Sequence, residues 1–432
     1  MKTKANMRTK TLLLAVFLLT MLGCVDQIEY NITGKVDIIV VDGRITNLEE
    51  EQIVKLFRSK ADPITGRFGS APVLGAKMEL VVNGSQKVAF VEDTTILGNY
   101  HLPKNYIGAI GNTYQLRFQL IDGTIYESSI EKMQSVPAME NIDVRFNANE
   151  EAETAIGFKG FHELYIDTKD PTDEKNFYSW EWVLYEKQPW CRSCLRGVYA
   201  VYKIIPGQYL FRQYFVSGTE LFEDCFAPQP VYDNPEAPII NRTDWTYDYE
   251  CRTKCWEVIR NNSLNLFEDS YTNGGQITHR KVAKIPFYQR GGCLVELRQL
   301  SLNKDAYEYY KLFQQQTENS GGIADTPPTA LRGNVKNVAN AREVVVGYFS
   351  ASAVSSKRQW IDRKDTGGTI PPGLFEALTG RIPNPEPPPP YDGPRGEALV
   401  KIWGGPPRVP TALCLKTNNR TPTKPEGWRD DN

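Results

Sequence analysis

Histidine is scarce in this chain: His101, His162 and His279 are the three among 432 residues. A histidine-based hydrolase or a multi-histidine metal centre is hard to assemble from so few, and no neighbouring motif marks any of them as a catalytic base. Charge of one sign is also missing. Fifty Lys and Arg face 52 Asp and Glu, a formal net charge of −2, which removes the basic footprint expected of a nucleic-acid binder. Long hydrophobic runs are absent; the apolar stretch Leu12–Leu22 falls well short of the ~18 residues that cross a bilayer. There is no Asp-x-Asp-x-Asp-Gly calcium loop, no phosphate-cradling glycine loop, no Gly-x-Ser-x-Gly elbow and no repeat of fixed period. The acid groups Asp170/Asp173, Glu49–Glu51 and Asp430/Asp431 fall in polar loops. They give no sign of the converging, unequally titrating pair that glycoside hydrolysis requires. These absences leave no enzyme class indicated, no cofactor and no metal, and the expectation is a non-enzymatic protein.

What is present begins with ordinary globular composition. Hydrophobic residues make up 41%, aromatics 11%, and there are 33 Gly and 28 Pro, too many large rings for a disordered chain. Lys2, Lys4, Arg8 and Lys10 precede the short apolar run, which closes on Gly23-Cys24; a basic start, apolar core and small residue form a secretory signal over residues 1–23. Met21-Leu-Gly-Cys24 resembles a bacterial lipobox, with Cys24 as the first mature residue and the acylated one. Several acyl chains on one cysteine hold a protein stably at a bilayer, because each buried methylene contributes about 0.8 kcal/mol. Residues 24–34 then read as a lipidated tether.

From residue 35 the pattern is β. Tyr114–Leu120 alternates apolar and polar side chains, the period of a half-buried strand, and Asp122-Gly123 supplies a hairpin turn before Thr124–Glu127. Val36–Val41, Ile53–Arg58, Met78–Val82 and Gly98–Tyr100 are further strand candidates. Short strands at this spacing predict an antiparallel sandwich over 35–136, closed by Val136-Pro137. The rest, 137–432, reads as a second β-rich unit, with strands at Phe161–Asp167, Phe177–Tyr185 and Val344–Phe349. One helix is expected at 302–318. Ser301 or Asn303 caps it, and Leu302, Ala306, Tyr309, Tyr310 and Phe313 make one apolar stripe; Gly321-Gly322 follow its end. Residues 383–394 form a stiff proline-rich loop. The aromatic run Phe177–Trp182 reads as core.

Besides Cys24 there are Cys191, Cys194, Cys225, Cys251, Cys255, Cys293 and Cys414, most of them in a loop-rich insert, 185–295. In an exported chain they read as disulfide staples; Cys191-x-x-Cys194 with Cys251-x₃-Cys255 is the alternative, a zinc tetrad. Seven is odd, so one thiol is left over, and Cys414 either reaches the cluster or stays free. Aromatic residues crowd the same insert: Trp190, Tyr199, Tyr202, Tyr209, Phe211, Tyr214, Phe215, Trp245, Tyr247 and Tyr249. Such rings bury area at low entropic cost and suit a recognition surface; packed over the staples they would equally make a secondary core.

Val41–Thr46, Leu74–Leu80, Gly111–Leu116, Asp122–Tyr126, Arg332-Gly-Asn334, Gly347-Tyr-Phe349 and Lys424–Trp428 recur in order with the lipobox cysteine. With Ser320-Gly-Gly322 and Thr326-Pro-Pro328, this series resembles a Bacteroidota outer-membrane lipoprotein family defined only as domain-of-unknown-function family 4249. The resemblance implies a mainly β fold whose N-terminal unit is an immunoglobulin-like or carboxypeptidase-regulatory-like sandwich. It also implies a lipid-anchored outer-membrane location facing the cell exterior, and a TonB-dependent receptor as partner. It brings no catalytic residues. Asp93-Thr-Thr95 resembles a short O-glycosylation site of the same bacteria.

Overall fold

A computed structural model describes residues 38–61, 68–151, 159–172, 175–205, 208–217, 240–270, 272–318, 331–385 and 411–430. Along 195–205, 208–217 and 240–245, and at residue 247, only the course of the strands is described. The signal segment, Cys24 and the tether lie outside the described residues, as do Cys225, Gly321-Gly322 and most of the proline-rich loop. The chain is mainly β. Among the described residues no helix is long and apolar enough to cross a membrane.

Strict alternation builds the first unit. Thr113–Gln119 buries every second side chain, from Tyr114 through Leu116 to Phe118, because neighbouring residues of a strand point to opposite faces. This strand pairs antiparallel with Lys77–Val82 and with Ile125–Ser128. The turn joining it to Ile125–Ser128 carries Gly123 at φ 89°, and the Thr124 N–H donates to Asp122 Oδ1 at 2.9 Å. The facing sheet is centred on Ile38–Thr46 and Ile53–Ala61. Between the two sheets lie Ile39, Leu56, Leu80, Leu116, Phe118 and Phe349.

Both sheets extend beyond residues 35–136. Val345–Ser352 runs parallel beside Ile38–Thr46, and Val335–Asn337 pairs with Ile125–Ser128. The sandwich is therefore completed by the segment Val335–Ser352, far downstream of Val136. Gly347 makes the parallel pairing possible. It sits opposite Val41 with φ +94°, and a Cβ there would fall 1.9 Å from the Val41 carbonyl oxygen. Asn334 fastens the same segment: Oδ1 accepts from the Phe349 N–H at 2.9 Å, while Nδ2 donates to the Phe349 carbonyl and to Glu131. Two short motifs in the sequence, Arg332-Gly-Asn334 and Gly347-Tyr-Phe349, thus owe their pattern to one close backbone crossing.

Immediately after Ser352 the chain enters the second unit as Val354–Ile361, which pairs with Cys293–Leu302. That strand pairs in turn with Phe177–Lys187. A three-stranded sheet of Met139–Glu151, Lys159–Lys169 and Gln276–Pro286 packs across it. The core between them takes Leu164, Ile166 and Ile285 from one sheet and Trp180, Leu184, Val295 and Leu297 from the other. The helix spans Lys304–Glu318, and the Ala306 N–H donates to Asn303 Oδ1 at 2.7 Å, so Asn303 is its cap. Ala306 and Tyr307 are buried against Phe177 and Tyr348, whereas Phe313 is 43% exposed. The apolar stripe outruns the surface it packs on, which ends a turn before Phe313.

A fifth sheet joins Trp190–Ile205, Gln208–Ser217, Ile240–Cys251 and Thr411–Ala412. Cys191, Cys194 and Cys251 lie on its strands, and Cys255 and Cys414 follow just beyond their ends.

Candidate functional site

Two places in the molecule combine concentrated chemistry with a defined geometry. The first is the cysteine lobe. Cys191 is bonded to Cys251 and Cys255 to Cys414; Cys194 is also disulfide-bonded, and the cysteines that remain to pair with it, Cys24 and Cys225, lie outside the described residues. The sulfurs of Cys191, Cys255 and Cys414 lie within 4.8 Å of one another, all buried. Cys191, Cys194, Cys251 and Cys255 are thus shared among disulfides instead of meeting as one tetrad, which overturns the zinc alternative for this arrangement. Cys414 reaches the cluster. Among the described residues the thiol left over is Cys293, expected as a staple and found free. As the first residue of Cys293–Leu302 it points into the core of the second unit, out of reach of the cluster, and burial pushes its thiol well above the ordinary range.

Polar bonds hold the lobe's edge. Asp248 is 1% exposed and accepts two hydrogen bonds from Arg381, at 2.6 and 2.7 Å, with others from Ser193 Oγ and the Asn384 N–H. Burial works against its charge, but these donors outweigh it and hold the carboxyl below its usual range. Arg420 donates to the Cys191 carbonyl at 2.8 Å. Of the aromatic residues singled out in the sequence, Trp190 is half-buried and meets Phe375 edge-on at 6.0 Å, and Tyr249 is buried among the disulfides; these two take the secondary-core role. Tyr199, Tyr202, Tyr209, Phe211, Tyr214, Phe215, Trp245 and Tyr247 fall on the strands of this sheet, and their side chains lie outside what is described.

The second place is a cleft of about 530 Å³ where the sandwich meets the second unit. The sandwich contributes Asp42, Arg44, Glu50 and Lys55; the second unit contributes Glu181, Trp182, Arg260–Leu264, Arg298 and, from the helix, Tyr310. Ion pairs cross between the units: Arg44 to Glu181 at 2.8 Å and Arg298 to Glu50 at 2.9 Å. Arg298 also binds Glu296 at 2.8 Å. Burial opposes the charge on both arginines, but the carboxylates beside them win and raise both guanidinium values. Trp182 is partly buried, and its backbone N–H donates to Asn261 Oδ1 at 3.0 Å, while the Asn261 backbone N–H returns a bond to the Trp182 carbonyl. These bonds fix the Arg260–Leu264 loop beside the indole. Burial raises the Tyr310 phenol, leaving it a neutral hydroxyl.

Chemically the cleft offers hydrogen-bond donors and acceptors around one indole. Glu50 and Glu181 are each tied to an arginine, so this set suits recognition of a polar ligand more than proton transfer. No single stretch of sequence announces it, because its residues come from five separated segments. In Phe177–Trp182 the residues Phe177, Tyr178 and Trp180 are buried core as expected; Trp182 is partly buried, packed against the same core while also lining the cleft.

Other expectations fall out differently. Asp170 is buried, not a solvated loop acid. His162 is fully buried beside Phe146 and Phe287, with neither ring nitrogen hydrogen-bonded; burial and the neighbouring Arg363 push it down to about 4. His101 pairs with Asp93 at 2.9 Å, and Thr94 and Thr95 lie exposed in the turn that Asp93 caps.

A family model described as a domain of unknown function (DUF4249) matches residues 25–358. No curated protein and no solved structure matches the chain.

Proposed function

The chain belongs to the DUF4249 family, and on that premise we propose that it is a surface-exposed outer-membrane lipoprotein, anchored through acylated Cys24. In this reading it is a non-enzymatic accessory subunit of a TonB-dependent receptor system, aiding cargo capture or uptake. The observation that carries the export part is the paired state of Cys191–Cys251 and Cys255–Cys414, since disulfides persist in oxidising compartments and not in the cytosol. The lipobox supports the anchor, and the charge-paired cleft favours binding over catalysis.

The test is pull-down of the native lipoprotein from detergent-solubilised outer membranes. A TonB-dependent receptor is expected in the eluate, and its absence would sink the docking claim. Cys24→Ser is expected to move the chain out of the membrane fraction and to abolish radiolabelled palmitate incorporation.

A second reading is a freestanding glycan- or protein-binding lipoprotein. Trp182 favours it, partly exposed and lining the cleft with Asn261, Asn262, Arg260 and Tyr310, because sugars stack on an aromatic face while amides and guanidinium groups bind their hydroxyls. Binding on a glycan array without any partner, lost in Trp182→Ala, would favour it over the receptor subunit.

A further inference from the structure

We propose that Cys251 is a thiol-modification site, and that a small thiol captured there starts a disulfide relay that frees Cys414. The bonds Cys191–Cys251 and Cys255–Cys414 are not independent staples. The Cys191 sulfur lies within 4.8 Å of those of both Cys255 and Cys414, so one bond has a sulfur of the other as its neighbour. Strand pairing brings them together. Trp190–Ile205 and Thr411–Ala412 both pair with Ile240–Cys251, and Cys255 follows Cys251 after a three-residue link, Arg252–Lys254.

Access decides where the chemistry starts. Cys191, Cys194, Cys255 and Cys414 are 5%, 3%, 1% and 8% exposed. Cys251 is only partly buried, and the three residues after it are exposed. Among the described disulfide cysteines it is the one most open to a thiolate from solvent, and access is a main determinant of exchange rate.

Attack at Cys251 forms a mixed disulfide there and expels Cys191 as a thiolate. That thiolate is buried, where its charge is disfavoured, and the Cys255–Cys414 bond lies beside it. Cys191 then bonds to Cys255, and Cys414 leaves as a thiolate that takes the proton given up by the entering thiol. Each step breaks one S–S bond and forms one, so no further oxidant or reductant is needed. Cys414 is the leaving group because it is the more exposed of the two, and the strand before it pairs only through Thr411 and Ala412. Cys255 leads directly into Trp256–Arg260, which is paired along its length with Phe177–Lys187. Beside Cys251, the Arg252 backbone N–H donates to the Ala412 carbonyl at 2.8 Å. The modified residue and the strand to be released therefore share one edge.

The test treats the full mature chain, in its oxidised state, with glutathione. After partial reaction, acid quenching and alkylation, peptides are mapped without reduction. Glutathione on Cys251, a Cys191–Cys255 bond and an alkylated Cys414 are expected. Glutathione on Cys251 with Cys191 alkylated and Cys255–Cys414 intact would overturn the relay. Glutathione on Cys255 or Cys414 with Cys191–Cys251 intact, or on none of these cysteines, would overturn the entry site. A Cys191–Cys414 bond would refute the choice of leaving group. Cys251→Ser deprives Cys191 of its partner from synthesis onward, and the same Cys191–Cys255 bond with a free Cys414 is expected without any added thiol. A free Cys191 beside an intact Cys255–Cys414 bond in that variant would also sink the proposal; where the variant does not fold, the wild-type map decides.

Discussion

Between residues 38 and 132 the sandwich contains no cysteine, and it buries Ile39, Leu56, Leu80, Leu116, Phe118 and Phe349 almost completely. The cysteine lobe, among its described residues, has a core of Cys191, Cys194, Tyr249, Cys255, Ala412 and Cys414, with Cys251 against it. The sandwich is held by apolar area removed from water, at roughly 25 cal/mol per Å². The lobe has little such area and relies on covalent closure of chain segments 60 and 159 residues apart, which restricts the unfolded chain more than it adds contacts. One polypeptide thus uses two stabilising strategies, and the lobe depends on the redox state of its surroundings while the sandwich does not.

The largest effect expected from this contrast comes from reducing the disulfides, at about 2–5 kcal/mol for each bond. Hydrogen exchange should then accelerate in Ile240–Arg260 and around Thr411–Cys414, with Ile38–Thr46 and Thr113–Gln119 still protected. Equal loss of protection in both regions would show one cooperative unit and erase the distinction. Next in size, Phe349→Ala should cost about 3–5 kcal/mol. It removes a fully buried ring from the sandwich core, so the urea midpoint should fall while exchange in the lobe is unchanged.

The smallest of the three expected effects sharpens the polar part of the lobe. Arg381→Ala should cost about 1.5–3 kcal/mol, the range for hydrogen bonds to a charged group, because Asp248 is left buried with fewer donors. In the wild type Asp248 titrates below its ordinary value of 3.8. The unfolded chain therefore binds that proton first on acidification, and the contribution of this carboxylate is present above pH 3.8 and lost as pH falls towards the folded value. Urea midpoints of the wild type should drop through this acid window, and those of Arg381→Ala should depend on pH less steeply. Matching pH profiles would mean that the Arg381 bonds contribute nothing to the lobe.

Several elements were legible before any coordinates. Strands with clean alternation, such as Tyr114–Leu120, and the Asp122-Gly123 turn depend on side-chain period and local φ preference, both written in consecutive residues. The helix and its Asn303 cap were legible for the same reason. Phe313 was misjudged because period marks which side of a helix is apolar, not how far the opposing surface extends. Cys293 was misread because composition groups cysteines by neighbourhood in the chain, whereas strand alternation and distance decide which sulfurs meet. The cleft was invisible, since Trp182 belongs to a run that reads as core and Arg44, Glu50, Glu181 and Arg298 meet only through two inter-unit ion pairs.

By itself the amino-acid sequence determined the β class, the family, the places of most strands and the helix, and the abundance of cysteine in one insert, because each rests on periodicity, composition or ordered short motifs. Tertiary structure alone decided that residues 335–352 complete the first sandwich, and that Cys414 joins Cys255 while Cys293 stays reduced. Each of these is a long-range pairing. Backbone hydrogen bonding and burial select it from many candidates that neighbouring residues cannot distinguish.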